Sequence, residues 1–333
     1  MQHKLRSWKS LIGLAITWII VTMIFAFWKE SLVPGWQSLD FASRENIETI
    51  ARQTAIVGFG AIGMTFIIVG GMIDLSAGSV VAFVTVVIAW LLDRFGGSIL
   101  VASLAAVVGI AAGALCGAFN GQMITRLRLS PFIATLGSLL IVRGAATGIA
   151  HEQKIDAPIT WLASILAKLG PGQSWMILPW GVWMVVVCAF GASFLLERTV
   201  FGRNVTAVGA NETAARLAGI SPDRVRRAVF MLAGAFIGMG GLLQFSRLTV
   251  GDPTVAEGLE LDIIAATVIG GASLNGGRGT IAGSLLGAVI ISTIRSGCTQ
   301  VGLPNWVQRI VTGGIIVAAL ALDRIREASS ETA

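Results

Sequence analysis

Apolar runs too long for a soluble core recur along the whole chain, separated by short polar stretches. They fall near 11–28, 51–71, 76–92, 98–124, 131–150, 176–196, 228–246, 259–274, 280–297 and 305–322. An α-helix needs about 20 mostly apolar residues to cross the ~30 Å hydrocarbon core of a bilayer. The pattern therefore predicts an all-α integral membrane fold of about ten transmembrane helices, forming one polytopic domain over 1–333. Two spans lead into glycine-rich breaks: Gly70-Gly71 before Ile73-Asp74-Leu75-Ser76-Ala77-Gly78-Ser79, and Gly270-Gly271 before Ser273-Leu274-Asn275-Gly276-Gly277-Arg278-Gly279. Matching breaks read as broken helices in two inverted-repeat halves, about 48–150 and 228–322, which in transporters bracket a midplane pathway. The stretches 44–54 and 74–80 are expected to be partly re-entrant.

Within the fourth span Gly109, Gly113, Gly117 and Gly121 share one helical face, and Gly234/Gly238 and Gly283/Gly287 repeat the spacing. Such ridges let helix backbones approach closely in lipid, and helix packing is the expected role. Gly58-Phe59-Gly60-Ala61-Ile62-Gly63 fits the dinucleotide fingerprint G-x-G-x-x-G. That fingerprint requires a preceding strand and an α/β context, whereas this one lies inside an apolar span.

Composition narrows the class further. Of 333 residues 55% are hydrophobic and 13% charged, and the mean hydropathy is +0.81. Soluble, disordered and coiled-coil chains are excluded. A net charge of +6 would suit nucleic acid, but fourteen of the 24 Lys and Arg fall on the side of the two termini when sorted over ten spans. Glu30, Asp40, Glu45, Glu48, Asp93, Glu152, Asp156, Asp252 and Glu257 fall on the other side. The positive side is the cytoplasm, so both termini are expected there, with lipid rather than nucleic acid as the surroundings. The first apolar stretch, Leu11 to Phe27, has no small-residue cleavage site after it and reads as a retained span. Cys116, Cys188 and Cys298 lie in apolar runs without metal-ligand spacing, and His3 and His151 are the only histidines. Metal chemistry thus lacks ligands. No G-x-x-x-x-G-K-[ST] motif occurs, so no cofactor is expected on this chain, ATP included.

Polar residues at membrane depth mark the candidate pathway, because an unpaired charge there costs roughly 3 kcal/mol. Asp74 and Ser76 are expected to cap the helix that follows them, and Glu260 and Asp262 open a span in the same way. Asn120, Thr135, Ser138, Arg143 and Thr249 are further polar candidates, with Phe66 and Trp90 as candidate stacking faces along the pathway. Segment 197–227 is the most informative polar stretch. Asn211-Glu212 reads as a helix start, Ala214, Ala215, Leu217 and Ala218 as its apolar stripe, and Gly219 as its stop. Ser221-Pro222-Asp223 caps the next helix. This short amphipathic helix between two spans is expected to dock a cytoplasmic partner. An ion-coupled secondary transporter, with Asp74 or Asp262 as the titrating group, fits the same polar pattern. An intramembrane enzyme is disfavoured by the absence of a nucleophile–base pair.

The chain resembles the ribose-type permease subunits of ATP-binding-cassette sugar importers. The residues that carry the resemblance are Gly202-Arg203-Asn204, Val208-Gly209-Ala210-Asn211-Glu212, Ala215-Arg216-Leu217-Ala218-Gly219-Ile220, Arg247-Leu248, Gly258-Leu259-Glu260-Leu261-Asp262, Val268-Ile269-Gly270-Gly271 and Asn275-Gly276-Gly277-Arg278-Gly279. Ile73 to Ser79, Thr135-Leu136-Gly137 and Arg143-Gly144 match in the first half. Met72 stands between Gly71 and Ile73, Arg295 occupies a position often Asn, and Ala272 replaces a usual Thr. The resemblance implies a pair of permease subunits, homo- or heterodimeric, two cytoplasmic ATPase subunits that use ATP and Mg, and an extracytoplasmic solute-binding protein. It also implies that 207–221 is a coupling helix seated on an ATPase, with Asn211, Glu212, Arg216, Leu217 and Gly219 in the coupling role. The implied activity is import of a sugar, polyol or similar hydroxylated solute by alternating access.

Overall fold

A computed structural model describes residues 2–32, 41–173, 175–304, 306–314 and 317. Helices dominate it: α1 (Gln2–Leu32), α2 (Arg44–Val69), α3 (Ala77–Phe95), α4 (Ile99–Arg126), α5 (Pro131–Ile149), α6 (Trp180–Arg198), α7 (Val200–Ala210), α8 (Glu212–Leu217), α9 (Pro222–Leu248), α10 (Leu259–Ile269) and α11 (Ile281–Gln300). Residues 306–314 are helical as well. Two short strands, β1 (Ile155–Asp156) and β2 (Val250–Gly251), pair antiparallel with Ile155 opposite Gly251. Large apolar side chains such as Leu115, Leu140, Phe190 and Phe194 are exposed on the outer helices, where lipid would cover them. The molecule is an all-α membrane protein.

Among the described residues eight helices are long and apolar enough to cross a membrane: α1 to α6, α9 and α11. The expected span 259–274 becomes α10, whose 11 residues reach only about half a bilayer at ~1.5 Å per residue. Of the expected span 305–322, residues 306–314 and 317 are helical, and the rest lies outside the described residues. The stretch 44–54 is not re-entrant; it is continuous α-helix within α2, opened by the Ser43 side chain accepting from the Asn46 N–H.

Glycine ridges set the packing. On α4, Gly113 meets Gly234 and Gly238 of α9, Gly117 meets the Phe230 carbonyl and Gly234, and Gly121 meets Arg227. A Cβ at Gly113 would fall 2.6 Å from the Gly234 carbonyl oxygen, so no larger residue fits without parting the helices. The fingerprint-like glycines serve the same end: Gly60 receives the Ile263 side chain and Gly63 lies on the Ala233 backbone. On α11, Gly283 and Gly287 lie on Gly270 and Ala266 of α10.

The two glycine breaks do not sit at opposite ends of the bundle, as an inverted pair would. Both α2 and α10 run toward the end that carries α7 and α8, and their breaks touch there: the Gly277 N–H donates to the Val69 carbonyl at 2.8 Å. Cys116, Cys188 and Cys298 are all free thiols.

Candidate functional site

Three polar regions stand out, and they are layered along the bundle. The first is the end formed by α7, α8 and the start of α9. Asn211 caps α8, its Oδ1 accepting from the Ala214 N–H at 2.9 Å. Gly219 ends α8 at φ +82°, with the Gly219 N–H donating to Arg216 O and the Ile220 N–H to Ala215 O. That pair of bonds is the Schellman closure for which glycine is suited. Ser221 is the N-cap of α9, but its side chain makes no capping bond; Pro222 at the first helical position supplies the start. Of the expected apolar stripe, Ala215 alone turns inward, and Leu217 projects outward at 86% exposure. Glu212 accepts from Arg216 at 2.9 Å within α8 and from Arg226 on α9. Partial burial raises the Glu212 carboxyl, but the bonds and charges of Arg226 and Arg216 outweigh it and hold it below the usual carboxylate range.

Helix α7 was not legible as a separate element, and it links this end to the interior. Thr199 caps it, accepting from the Gly202 N–H at 3.2 Å. Phe201, Val205 and Val208, at helical spacing, turn toward the core, where Phe201 meets Phe66. Near its end Gly209 is wedged between the Val69 carbonyl and Gly277, while Gly276 lies on both Gly209 and Gly71. A Cβ at Gly276 would fall 2.5 Å from the Gly209 oxygen and 2.9 Å from the Gly71 Cα. Three backbones thus touch directly, with no side chain between them to absorb movement.

The second region surrounds the start of α3. Asp74 Oδ1 accepts from the Ser76 N–H at 2.8 Å and from the Ser76 hydroxyl at 2.6 Å. Asn120 Nδ2 donates to Ser76 Oγ at 2.9 Å. Thr135 Oγ1 bonds chiefly to the Pro131 carbonyl one turn earlier and lies 3.5 Å from the Ile73 carbonyl. Ser76 therefore does not cap α3 with its side chain, as expected from sequence; its hydroxyl bridges Asp74 and Asn120 instead. One turn beyond Thr135, Ser138 is fully buried, and its hydroxyl, like the Asn120 carbonyl oxygen, has no hydrogen-bond partner among the described residues.

The third region is a cavity of about 760 Å³ among α2, α9, α10, α11 and 306–313. Gln53, Gln244, Arg247, Asp262, Arg295 and Arg309 are among its polar walls. Asp262, 1% exposed, forms an ion pair at 2.6 Å with Arg295 of α11. Arg295 drew notice in the sequence only as a departure; its pairing across two helices could not be read from spacing.

The remaining sequence-picked residues lie elsewhere. Arg143 donates to the Pro253 and Val255 carbonyls at 2.6 and 2.7 Å, tying α5 to the loop after β2. Lys154 pairs with Asp252 at 3.1 Å nearby. Thr249 ends α9 with φ +55° and turns its hydroxyl onto the Leu248 carbonyl, a local role. Phe66 is wholly buried and stacked on Phe236, so its ring belongs to the core and offers no open face to a solute. Trp90 is half-exposed, packs edge-on to Phe95 and does not line the cavity.

Residues 46–320 match the family described as branched-chain amino acid transport system / permease component. The chain is 35% identical to the L-arabinose ABC transporter permease protein AraH of Azospirillum brasilense, covering 86% of this chain and 82% of that protein. It is 36% identical to the ribose import permease protein RbsC of Bacillus subtilis (strain 168), covering 85% and 86%. It is 30% identical to the xylose transport system permease protein XylH of Escherichia coli (strain K12), covering 92% and 89%. No solved structure matches it.

Proposed function

The chain belongs to the branched-chain amino acid transport system / permease component family, and from that premise we propose that it is the membrane permease of an ATP-driven importer for a sugar, polyol or similar hydroxylated solute. The observation that carries the solute class is the cavity wall. Amides and charged groups such as Gln53, Gln244, Arg247 and Arg295 suit hydroxyl groups and offer an aliphatic side chain little. The relatives named for arabinose, ribose and xylose point the same way.

In this reading the chain lies in a bacterial inner membrane with both termini in the cytoplasm, and α7 and α8 face the cytoplasmic side. It works as one of a pair of permease subunits, with ATPase subunits below and a solute-binding protein outside. ATP and Mg are used by the ATPases. Leu217, exposed between the charged Arg216 and the Gly219 turn, is the side chain that enters an ATPase groove. Asn211 and Gly219 fix the ends of α8, and Glu212 joins it to α9 through Arg226. Closure of the ATPases displaces α8 and with it α7. Gly209 then bears on the ends of α2 and α10 at once, so the Asp74 network and the Asp262 cavity rearrange together, as alternating access requires.

The test is reconstitution in liposomes with the cognate ATPase and binding protein. Solute uptake is expected to require internal ATP and to fall to background with Leu217→Asp, which leaves the chain folded but without its ATPase. Uptake driven by an imposed proton gradient without nucleotide would overturn this reading.

A further inference from the structure

Resting on that reading, we propose that the ATPase is seated on two elements of this chain: besides α8 it engages the connection between α4 and α5, residues 127–130, through a recess that takes a carboxylate-bearing segment of the ATPase. The recess has a volume of about 400 Å³ and lies between that connection and α8. Arg128, Leu129 and Pro131 form one wall, and Glu212, Arg216 and Arg226 the other. A partner resting on the Arg216 face of α8 therefore meets the connection as well.

Two features of the connection have no use inside the chain. Arg128 has φ +55°, a left-handed backbone, at the position just past the Leu127 cap of α4 where glycine is usual. Strain of this kind persists where the side chain is needed. Leu127 and Leu129, on either side of it, are both exposed at the end of the bundle that carries the exposed Leu217. Apolar side chains grouped there among charged ones mark a contact surface. The charges of the recess select what covers it. Glu212 is already held by Arg216 and Arg226, so Arg128 is the cation in the opposite wall that remains for a carboxylate from outside. Glu212 and Asp223 in the same lining repel a phosphate headgroup but suit a protein segment with side chains of both signs. Pro131 opens α5, and Thr135 bonds to its carbonyl at 2.8 Å one turn on. Movement of the connection thus reaches the Asp74 region by a route separate from α7.

The test is equilibrium binding of the purified cognate ATPase, free of nucleotide, to the purified full-length chain in an uncharged detergent. Arg128→Gly removes the side chain and suits the backbone, so melting is expected at the same or a higher temperature while ATPase binding weakens about fivefold. Arg128→Glu is expected to weaken binding by about tenfold or more, and Arg128→Lys, which keeps the charge, to restore most of it. Full binding in both Arg128→Gly and Arg128→Glu would overturn the proposal. A loss seen only when phosphatidylglycerol is added would assign Arg128 to a lipid headgroup and overturn it too. Leu217→Asp separates the proposal from the reading beneath it. Loss of binding in Leu217→Asp with full binding in the Arg128 variants would leave α8 as the seat and strike the connection. Loss in the Arg128 variants alone would keep the connection and remove Leu217 from the contact, and failure of the unaltered chain to bind the ATPase would fell both.

Discussion

At the scale of single residues, Glu212 is the hinge pin of α8. Six residues make too short a helix to hold itself in water, and one carboxylate joins it both to its own Arg216 and to Arg226 on α9. The pairs are partly exposed, and such pairs contribute only about 0.2–1 kcal/mol each. Arg226→Gln should therefore leave the melting of the purified chain almost unchanged while loosening α8. Limited trypsin cleavage after Arg216 should quicken several-fold, and retention of the ATPase during purification should fall. Unchanged cleavage and unchanged retention would count against the pin. The pH dependence has a definite sign. The carboxyl is held below its usual range, so its contribution is fully present above the unfolded value of about 4.3 and disappears as pH falls through the lower, folded value. Protection of α8 should thus be flat from neutrality to about pH 5 and be lost only below about pH 4.

Between elements, the junction of α2, α7 and the segment after α10 makes a sharper demand. Gly209 touches the Val69 carbonyl, so even a methyl group must push the end of α2 away. Gly209→Ala is expected to preserve assembly with the ATPase and its hydrolysis of ATP but to cut solute uptake at least tenfold, a split that separates transmission from docking. Loss of both, or of neither, would remove Gly209 from that role. Elements differ in how far the sequence disclosed them. The Gly109–Gly121 ridge, the Asn211 cap and the Gly219 stop were legible because each follows from local backbone chemistry. Meeting points were not, since the contact of Gly209 with Val69 and Gly277, like the pairing of Asp262 with Arg295, joins segments some 30 to 140 positions apart in the chain. The inverted reading of the two breaks failed for a related reason: similar Gly-Gly signals say where helices stop and nothing about the end at which they stop. Phe66 and Trp90 show the remaining gap, because an aromatic in an apolar span looks the same whether it faces solute, core or lipid.

Over the whole molecule, positive charge is concentrated at one end. Arg126 and Arg128 end α4 and its loop, while Arg203, Arg216, Arg224, Arg226 and Arg227 crowd α7, α8 and the start of α9. The opposite end carries Asp156, Asp252 and Glu257 around the paired strands. Basic segments next to membrane spans stay in the cytoplasm during insertion, and this asymmetry is what supports the proposed cytoplasmic placement of α8. Single cysteines report it once the native thiols, which lie within spans or at their ends, have been replaced by serine or alanine. Thr213 is exposed on α8 and Ile159, 86% exposed, follows β1 at the other end. In intact cells a membrane-impermeant maleimide should label Ile159→Cys and spare Thr213→Cys, and in inside-out vesicles the pattern should reverse. The opposite labelling would put α8 outside, beyond the reach of any cytoplasmic ATPase, and the coupling role of Leu217 and Glu212 would fall with it even though every contact within the bundle remained as described.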